Sequence, residues 1–394
     1  MNKKILSIFL SVALFFSISI VYTLADTDLP PEDESTSVGV QPNLELNVKS
    51  CILMEPVTGT ILYEMDADTA LPPASVTKVM TMLLAFEALD RGNIHKDDQV
   101  SISAYASSMG GSQVFLAEGE TMSIHDLLKC MIIASANDAA VAIAEHIAGS
   151  ETAFVDLMNA RAQELGMKNT HFENVTGLDD DTTNHVLSAK DIAIATMELY
   201  KYPSVFEYSS VWMDTIRDGA FTLSNTNRLI RYYNGATGLK TGSTDKAGFC
   251  ISATASRNGM DLIAVVMGAP TRDARNEAAK TLFDWGFANY TRYHVDAQYE
   301  GSIPVKHGLV ESVSGVSEGI DLIVPKSEAS KIERVISLQT EVEAPIKKGT
   351  EIGTVTYYLL GELVGTAPIY AEQDIEAVSF WELFIRLLKI FTLA

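Results

Sequence analysis

The chain has 394 residues, 47% of them hydrophobic and 20% charged, with a formal net charge of −22. The composition is that of a globular protein, and the length calls for two or three folded units. Nucleic acid is excluded as a partner, because a polyanion is held by clustered Lys and Arg and no such cluster occurs here.

In chain order, residues 1–25 read as an export signal: "MNKK" is a short basic start, "ILSIFLSVALFFSISIVY" an apolar core, and "TLA" a small-residue cleavage site ending at Ala25. An uncleaved membrane anchor is the alternative, and either form places the body of the protein outside the cytoplasmic membrane. Residues 26–43, "DTDLPPEDESTSVGVQPN", are acidic and rich in Pro and Ser, the composition of a flexible spacer. Two strands are expected around a turn at Pro56 to Gly59. "LPPASVTKVMTMLLAFEAL", residues 71–89, turns from a proline-rich loop into an almost uncharged helix, with Ser75 and Lys78 at the turn. Helical periodicity runs from 75 to about 201, with starts at Ser123 and at Glu151 or Thr152 and stops at Gly149 and Gly166. Strands return from about 211, and "RDARNEAAKTLFDWGFANY" forms a last helix. Strands, then helices, then strands and a helix predict an α+β unit over 44–291, with an antiparallel sheet and segregated helices.

From 292 to 377 residues alternate between glycine turns, the pattern of a small all-β domain. In the last segment, 378–394, the only charges are Glu382, Arg386 and Lys389, spaced by four and three so that they share one helical stripe. Seventeen residues at about 1.5 Å each fall just short of a span, which favours a helix lying in a membrane surface with Trp381 and the phenylalanines inserted. Cys51, Cys130 and Cys250 are too few and too scattered for a disulfide framework, and no Cys or His pair stands at ligand spacing. They read as buried apolar residues, and neither a metal nor another cofactor is implied.

Several serines compete as nucleophile. "GVSEG", residues 315–319, fits the G-x-S-x-G elbow, but a strand containing a proline follows Ser317 where the elbow requires a helix. S-x-x-K occurs twice, at Ser75 to Lys78 and at Ser243 to Lys246, and about one match by chance is expected in such a chain. Ser75 opens a helix, so Lys78 lies one turn away on the same face, within reach of the hydroxyl proton. Ser243 sits in a strand and turn, where residues three apart point to opposite faces. As a base Lys78 must be neutral, and moving an ammonium from about 10.4 to near 7 takes roughly 4 kcal/mol or more, supplied by burial and a second cation. The bland alternative is a lysine snorkelling from a helix end. Two further motifs tell against it: "SAN", Ser135 to Asn137, between two helical runs, and "KTG", Lys240 to Gly242, at the start of a strand.

The ordered set S-x-x-K, S-x-N, K-T-G resembles the penicillin-binding proteins and serine β-lactamases. The contexts "LPPASVTKVMT", "SANDAA" and "GLKTGSTDKAGFC", with the small β domain and amphipathic end, resemble the low-molecular-mass D-alanyl-D-alanine carboxypeptidases over residues 44–394. The resemblance implies a penicillin-binding type catalytic domain. Its substrate would be the D-Ala-D-Ala end of peptidoglycan stem peptides, with β-lactam antibiotics as covalent inhibitors. Ser75 would be the nucleophile and Lys78 its base. Ser135 would relay a proton to the leaving D-alanine, and Asn137 would hold Lys78 and the substrate amide. Lys240 would supply positive field, Thr241 would bind the terminal carboxylate beside the open backbone of Gly242, and the N–H groups of Ser75 and Ser243 would form the oxyanion hole. Arg275 matches a family arginine near the carboxylate; Arg272 is the other candidate, and a surface ion pair the alternative for both. Many relatives have histidine where this chain has Ser243. The E-x-x-L-N pattern of class A β-lactamases is absent between Ser135 and Lys240, which argues against fast deacylation. Transpeptidase or endopeptidase action uses the same acyl-enzyme, and a non-catalytic wall-binding scaffold would not need the intact motifs.

Overall fold

A computed structural model describes residues 42–392. The signal at 1–25, the spacer apart from its last two residues, and residues 393 and 394 lie outside the described residues. The centre is a five-stranded, fully antiparallel sheet. Its edge strand Ile61–Met65 pairs with Ser50–Met54, which pairs with Met260–Ala269, then Gly248–Arg257, then Ala236–Thr244 at the other edge. Strands from the two ends of the unit thus meet in the middle, and the residues between 65 and 236 are inserted as a mainly helical layer that includes two short strand pairs.

Alternation decides what each sheet face covers. Ile52, Met54, Ile263 and Val265 point into the helical layer, whereas Cys51, Leu53, Leu262 and Ala264 pack with Ala279, Leu282 and Phe283 of the helix Arg272–Asn289. That helix comes close enough that a Cβ on Gly286 would lie 2.8 Å from both Leu53 and Leu262. The helix Lys78–Asp90 is apolar on nearly every side and is buried accordingly, at the centre of the helical layer.

Caps mark the helix starts. Ser123 caps Ile124–Ile133, Ser150 caps Glu151–Glu164 and Thr271 caps Arg272–Asn289, each accepting the N–H three residues on. Gly149 ends Asn137–Ala148 in the left-handed region at φ +83°. The helical stretch expected from 75 to 201 is interrupted twice. A strand pair, Gln99–Ser101 with Thr121–Ser123, occupies one gap, and residues 165–188 form no helix. Neither stretch has a sustained 3.6-residue apolar repeat, so no face could be buried as a helix.

The C-terminal unit is a six-stranded sheet with the spatial order 332–338, 351–359, 362–371, 312–317, 298–306, 342–343, joined by the pair Tyr290–Val295 and Ile320–Pro325. Its interior is aliphatic, with Val313, Val324, Ile352, Val355 and Ile369 among the buried residues. A final helix, Phe380–Thr392, starts at Ser379, whose hydroxyl and N–H both meet the Glu382 carboxylate.

Candidate active site

The three motifs, far apart in sequence, converge on one cleft of about 390 Å³ between the five-stranded sheet and the helical layer. Ser75 lies in a single 3₁₀ turn, Ala74–Thr77, rather than in the first turn of the α-helix, which begins at Lys78. Ala74 is held at φ +49°, and a Cβ on Gly177 would stand 1.8 Å from its carbonyl oxygen, so only glycine fits there. The Thr77 hydroxyl donates to that carbonyl at 2.8 Å and meets His185 Nε2 at 2.8 Å. His185 Nδ1 accepts the Glu173 N–H, and burial holds the ring down at about 4, so the imidazole is neutral and donates from Nε2. The turn bearing Ser75 is thereby tied to the loop 173–177.

Lys78 is completely buried, and its Nζ has three oxygen neighbours: Ser75 Oγ at 3.0 Å, Asn137 Oδ1 at 2.6 Å and Thr176 O at 2.9 Å. Asn137 Oδ1 and Thr176 O can only accept. A neutral amine has two N–H groups for these two acceptors, which leaves its lone pair facing the Ser75 hydroxyl. The electrostatics favour that form: desolvation first, and then the Lys240 ammonium, hold Lys78 well below the usual lysine range, against a smaller opposing pull from Asp138.

Asn137 opens the helix Asn137–Ala148 and is fixed at every polar atom named here: its N–H bonds to Ser112 O at 2.7 Å and its Nδ2 to Gly110 O at 2.7 Å. Asp138, fully buried, accepts the N–H groups of Val114 and Leu116 at 3.1 Å and holds the 110–116 loop against this helix. Ser135, in the left-handed region at φ +65°, accepts Lys240 Nζ at 2.8 Å.

Lys240 lies in the middle of the edge strand Ala236–Thr244, not at its start. It is 1% exposed, also bonds Thr241 O at 2.7 Å, and burial together with Arg275 lowers it to about 7. The Thr241 hydroxyl donates to Thr226 Oγ1 at 2.8 Å. A Cβ on Gly242 would lie 2.7 Å from Ser75 N and 2.9 Å from Val76 N, so the strand and the serine turn touch through bare backbone. Ser243 is exposed, and Lys246 bonds the Asp179 carbonyl, so the second S-x-x-K forms no pair. Arg275 is buried, donates to Asn276 Oδ1 at 2.9 Å and borders the cleft; Arg272 borders it from an exposed position. Neither forms an ion pair among the described residues. Ser317, by contrast, is buried at a strand end with its hydroxyl on Glu300 Oε1 at 2.8 Å, remote from any helix start.

Thr176, Asp138, Ser112, Thr226, Trp212 and Arg228 were not singled out by motif. Thr176 and Ser112 act through main-chain carbonyls, which leave no side-chain signature. Asp138, directly after "SAN", is the one with a sequence cue: an acid placed in the first turn of a helix.

A nucleophile-bearing turn on an antiparallel sheet, with a buried amine against its hydroxyl, defines a serine hydrolase. The comparisons with known proteins agree. The profile of the D-alanyl-D-alanine carboxypeptidase family matches residues 36–271, and that of the penicillin-binding protein 5 C-terminal domain matches 287–377. The chain is 42% identical to D-alanyl-D-alanine carboxypeptidase DacF of Bacillus subtilis over 339 residues, 84% of this chain and 87% of that one. With DacA of Escherichia coli it shares 33% over 366 residues, 88% of each. The crystal structure of penicillin-binding protein 5 from Haemophilus influenzae superposes with a TM-score of 0.77 at 33% identity, covering 86% of this chain and all of that one. The chain belongs to the D-alanyl-D-alanine carboxypeptidase family.

Proposed function

We propose that this protein removes the terminal D-alanine from peptidoglycan stem pentapeptides through an acyl-enzyme on Ser75. The observation that carries the reading is the buried Lys78 amine 3.0 Å from Ser75 Oγ, with its other two neighbours obliged to accept. In this mechanism the Ser75 proton passes to Lys78 Nζ as Oγ bonds the carbonyl carbon between the two D-alanines. The C–N bond then breaks, and the departing amine takes a proton through Ser135, which Lys240 keeps oriented. Water next attacks the ester, with the proton again received in the lysine cluster.

The contact of Gly242 with the Ser75 turn supports placing the N–H groups of Ser75 and Ser243 around the forming oxyanion. Asn137 positions Lys78. Lys240, Thr241 and Arg275 supply cationic and hydroxyl partners for the terminal carboxylate. Penicillin, a cyclic acyl donor, would acylate the same serine, as the names of the related penicillin-binding proteins suggest.

In the same reading, residues 44–291 are the catalytic unit of an exported enzyme, 292–377 a β-rich spacer, and 378–394 its membrane contact. Phe380 and Trp381 are 73% and 69% exposed, and Leu383, Ile385 and Leu388 are also uncovered, as a helix lying in a membrane surface requires. No helix among the described residues is long and apolar enough to cross a membrane.

The test pairs fluorescent-penicillin labelling with D-alanine release from a soluble pentapeptide. Wild type should label and release; Ser75→Ala should do neither, and labelling of Ser75→Ala would sink the nucleophile assignment.

A further inference from the structure

A residue outside the three motifs grips the loop that fixes Asn137. Arg217 sits at the tip of the hairpin Met213–Ile216 with Phe221–Ser224, at φ +54°, where glycine, asparagine or aspartate is the ordinary choice. Its guanidinium is fully engaged there. Nε and Nη2 donate to the two Glu120 oxygens at 2.8 and 3.0 Å, while Nη1 and the same Nη2 reach the carbonyls of Val114 at 3.0 Å and Phe115 at 3.1 Å. Cζ stands 5.7 Å from the centre of the Phe221 ring. Phe115 is itself left-handed at φ +57°, an uncommon state for a residue with a side chain.

Residues 114–116 are thus held from both sides. Arg217 takes carbonyls, and the buried Asp138 takes the N–H groups of Val114 and Leu116 at 3.1 Å. What this hold secures lies a few residues upstream, where Gly110 O accepts Asn137 Nδ2 and Ser112 O accepts the Asn137 N–H, both at 2.7 Å. An amide whose Nδ2 is fixed to Gly110 turns its Oδ1 the other way, onto Lys78 Nζ at 2.6 Å. The packing leaves little slack, since a Cβ on Gly111 would stand 2.8 Å from Asn137 Nδ2. Ser112 lines the cleft, and Arg217 is not one of the described residues that do.

We propose that Arg217 is a positioning residue for acylation, acting through the 110–116 loop and Asn137 on the direction in which the Lys78 lone pair points. The inference rests on the acyl-enzyme reading above.

Stopped-flow acylation by penicillin, with the acylated fraction scored at the end, tests it. In Arg217→Met the rate should fall by about tenfold to a hundredfold, the range for a misplaced catalytic group, while the fraction that finally acylates stays that of wild type. A merely structural role would lower the fraction and leave the rate. Arg217→Lys keeps the charge and a contact with Glu120 but loses the fork, and should be slower by about threefold to tenfold. In an Asn137→Ala background either variant should cost less than about twofold more, because the group it acts through is gone. If Arg217→Met shows no cooperative urea transition, Arg217→Lys carries the same comparison in both backgrounds. A rate unchanged from wild type, or the same loss with and without Asn137, would overturn the inference. No acylation of wild type would instead sink the acyl-enzyme reading itself.

Discussion

The two sheets of the molecule treat charge in opposite ways. Around the five-stranded sheet, Lys78, Asp138, Lys240 and Arg275 are buried alongside Ser135 and Asn137, and each has defined partners. In the six-stranded unit the buried non-aromatic polar side chains among the described residues are Ser317 and Glu300, which bond each other, Glu300 also pairing with Arg334; no lysine is buried, and other charges stand nearer the surface in pairs such as Arg292 with Asp321. Burying an ammonium costs several kcal/mol even after relaxation. A fold that does so twice within one cleft is holding amines at shifted pKa values, which is the signature of chemistry rather than of stability. The aliphatic C-terminal unit carries no comparable strain.

Breaking the buried side should cost most. Lys78→Met removes the base while roughly keeping its volume, and acylation by penicillin, followed in stopped flow, should fall by about 10²–10⁴-fold. Gly242→Ala drives a methyl into the Ser75 and Val76 main chain, which cannot swing aside; kcat should drop by about 10²-fold.

Titration sharpens the same contrast. Lys78 must be neutral and Lys240 charged, so kcat/KM should rise as pH passes upward through the depressed Lys78 value and fall again above about 7, where Lys240 loses its proton. Lys240→Arg should move the descending limb upward. Because both lysines bind their proton less tightly folded than unfolded, the unfolded chain holds more protons above pH 7. Their contribution therefore makes stability increase with pH from about 7 to 8.5, measurable as a rise in the urea midpoint. A flat or falling profile in that window would contradict two buried, shifted lysines.

On the outer side effects should be small. Arg292→Ala removes a two-pronged pair with Asp321, at 2.7 and 2.5 Å, yet the pair is partly solvated and the loss should be about 1 kcal/mol or less. Penicillin acylation should not change. A loss of acylation in this variant would show that the two units are coupled and that the contrast between them is false.

Much of this was legible beforehand because it is local. The serine cap at 123, the glycine stop at 149 and the alternation after 292 are set by neighbours within a few residues. The glycine-free, apolar run after Lys78 marked a buried helix for the same reason. The local pattern predicts α-helix at Ser75, whereas the 3₁₀ turn there packs Ala74 against Gly177, a hundred residues away. The sequence pattern predicts Lys240 at a strand start; its mid-strand position is set by pairing with Ser252 and its neighbours in another strand.

From its residues alone the chain declared which groups could do chemistry: a serine and a lysine one turn apart, with S-x-N and K-T-G to follow. Side-chain type and short spacing are enough for that, since they fix what can be nucleophile, base or donor. The state of those groups was left to the tertiary structure. Lys78 has its lone pair toward Ser75 only because Asn137 Oδ1 and Thr176 O, 59 and 98 residues away, take its two N–H groups. Lys240 falls to about 7 only because the sheet and Arg275 enclose it. Desolvation and hydrogen-bond direction belong to three-dimensional surroundings, and no stretch of sequence contains them.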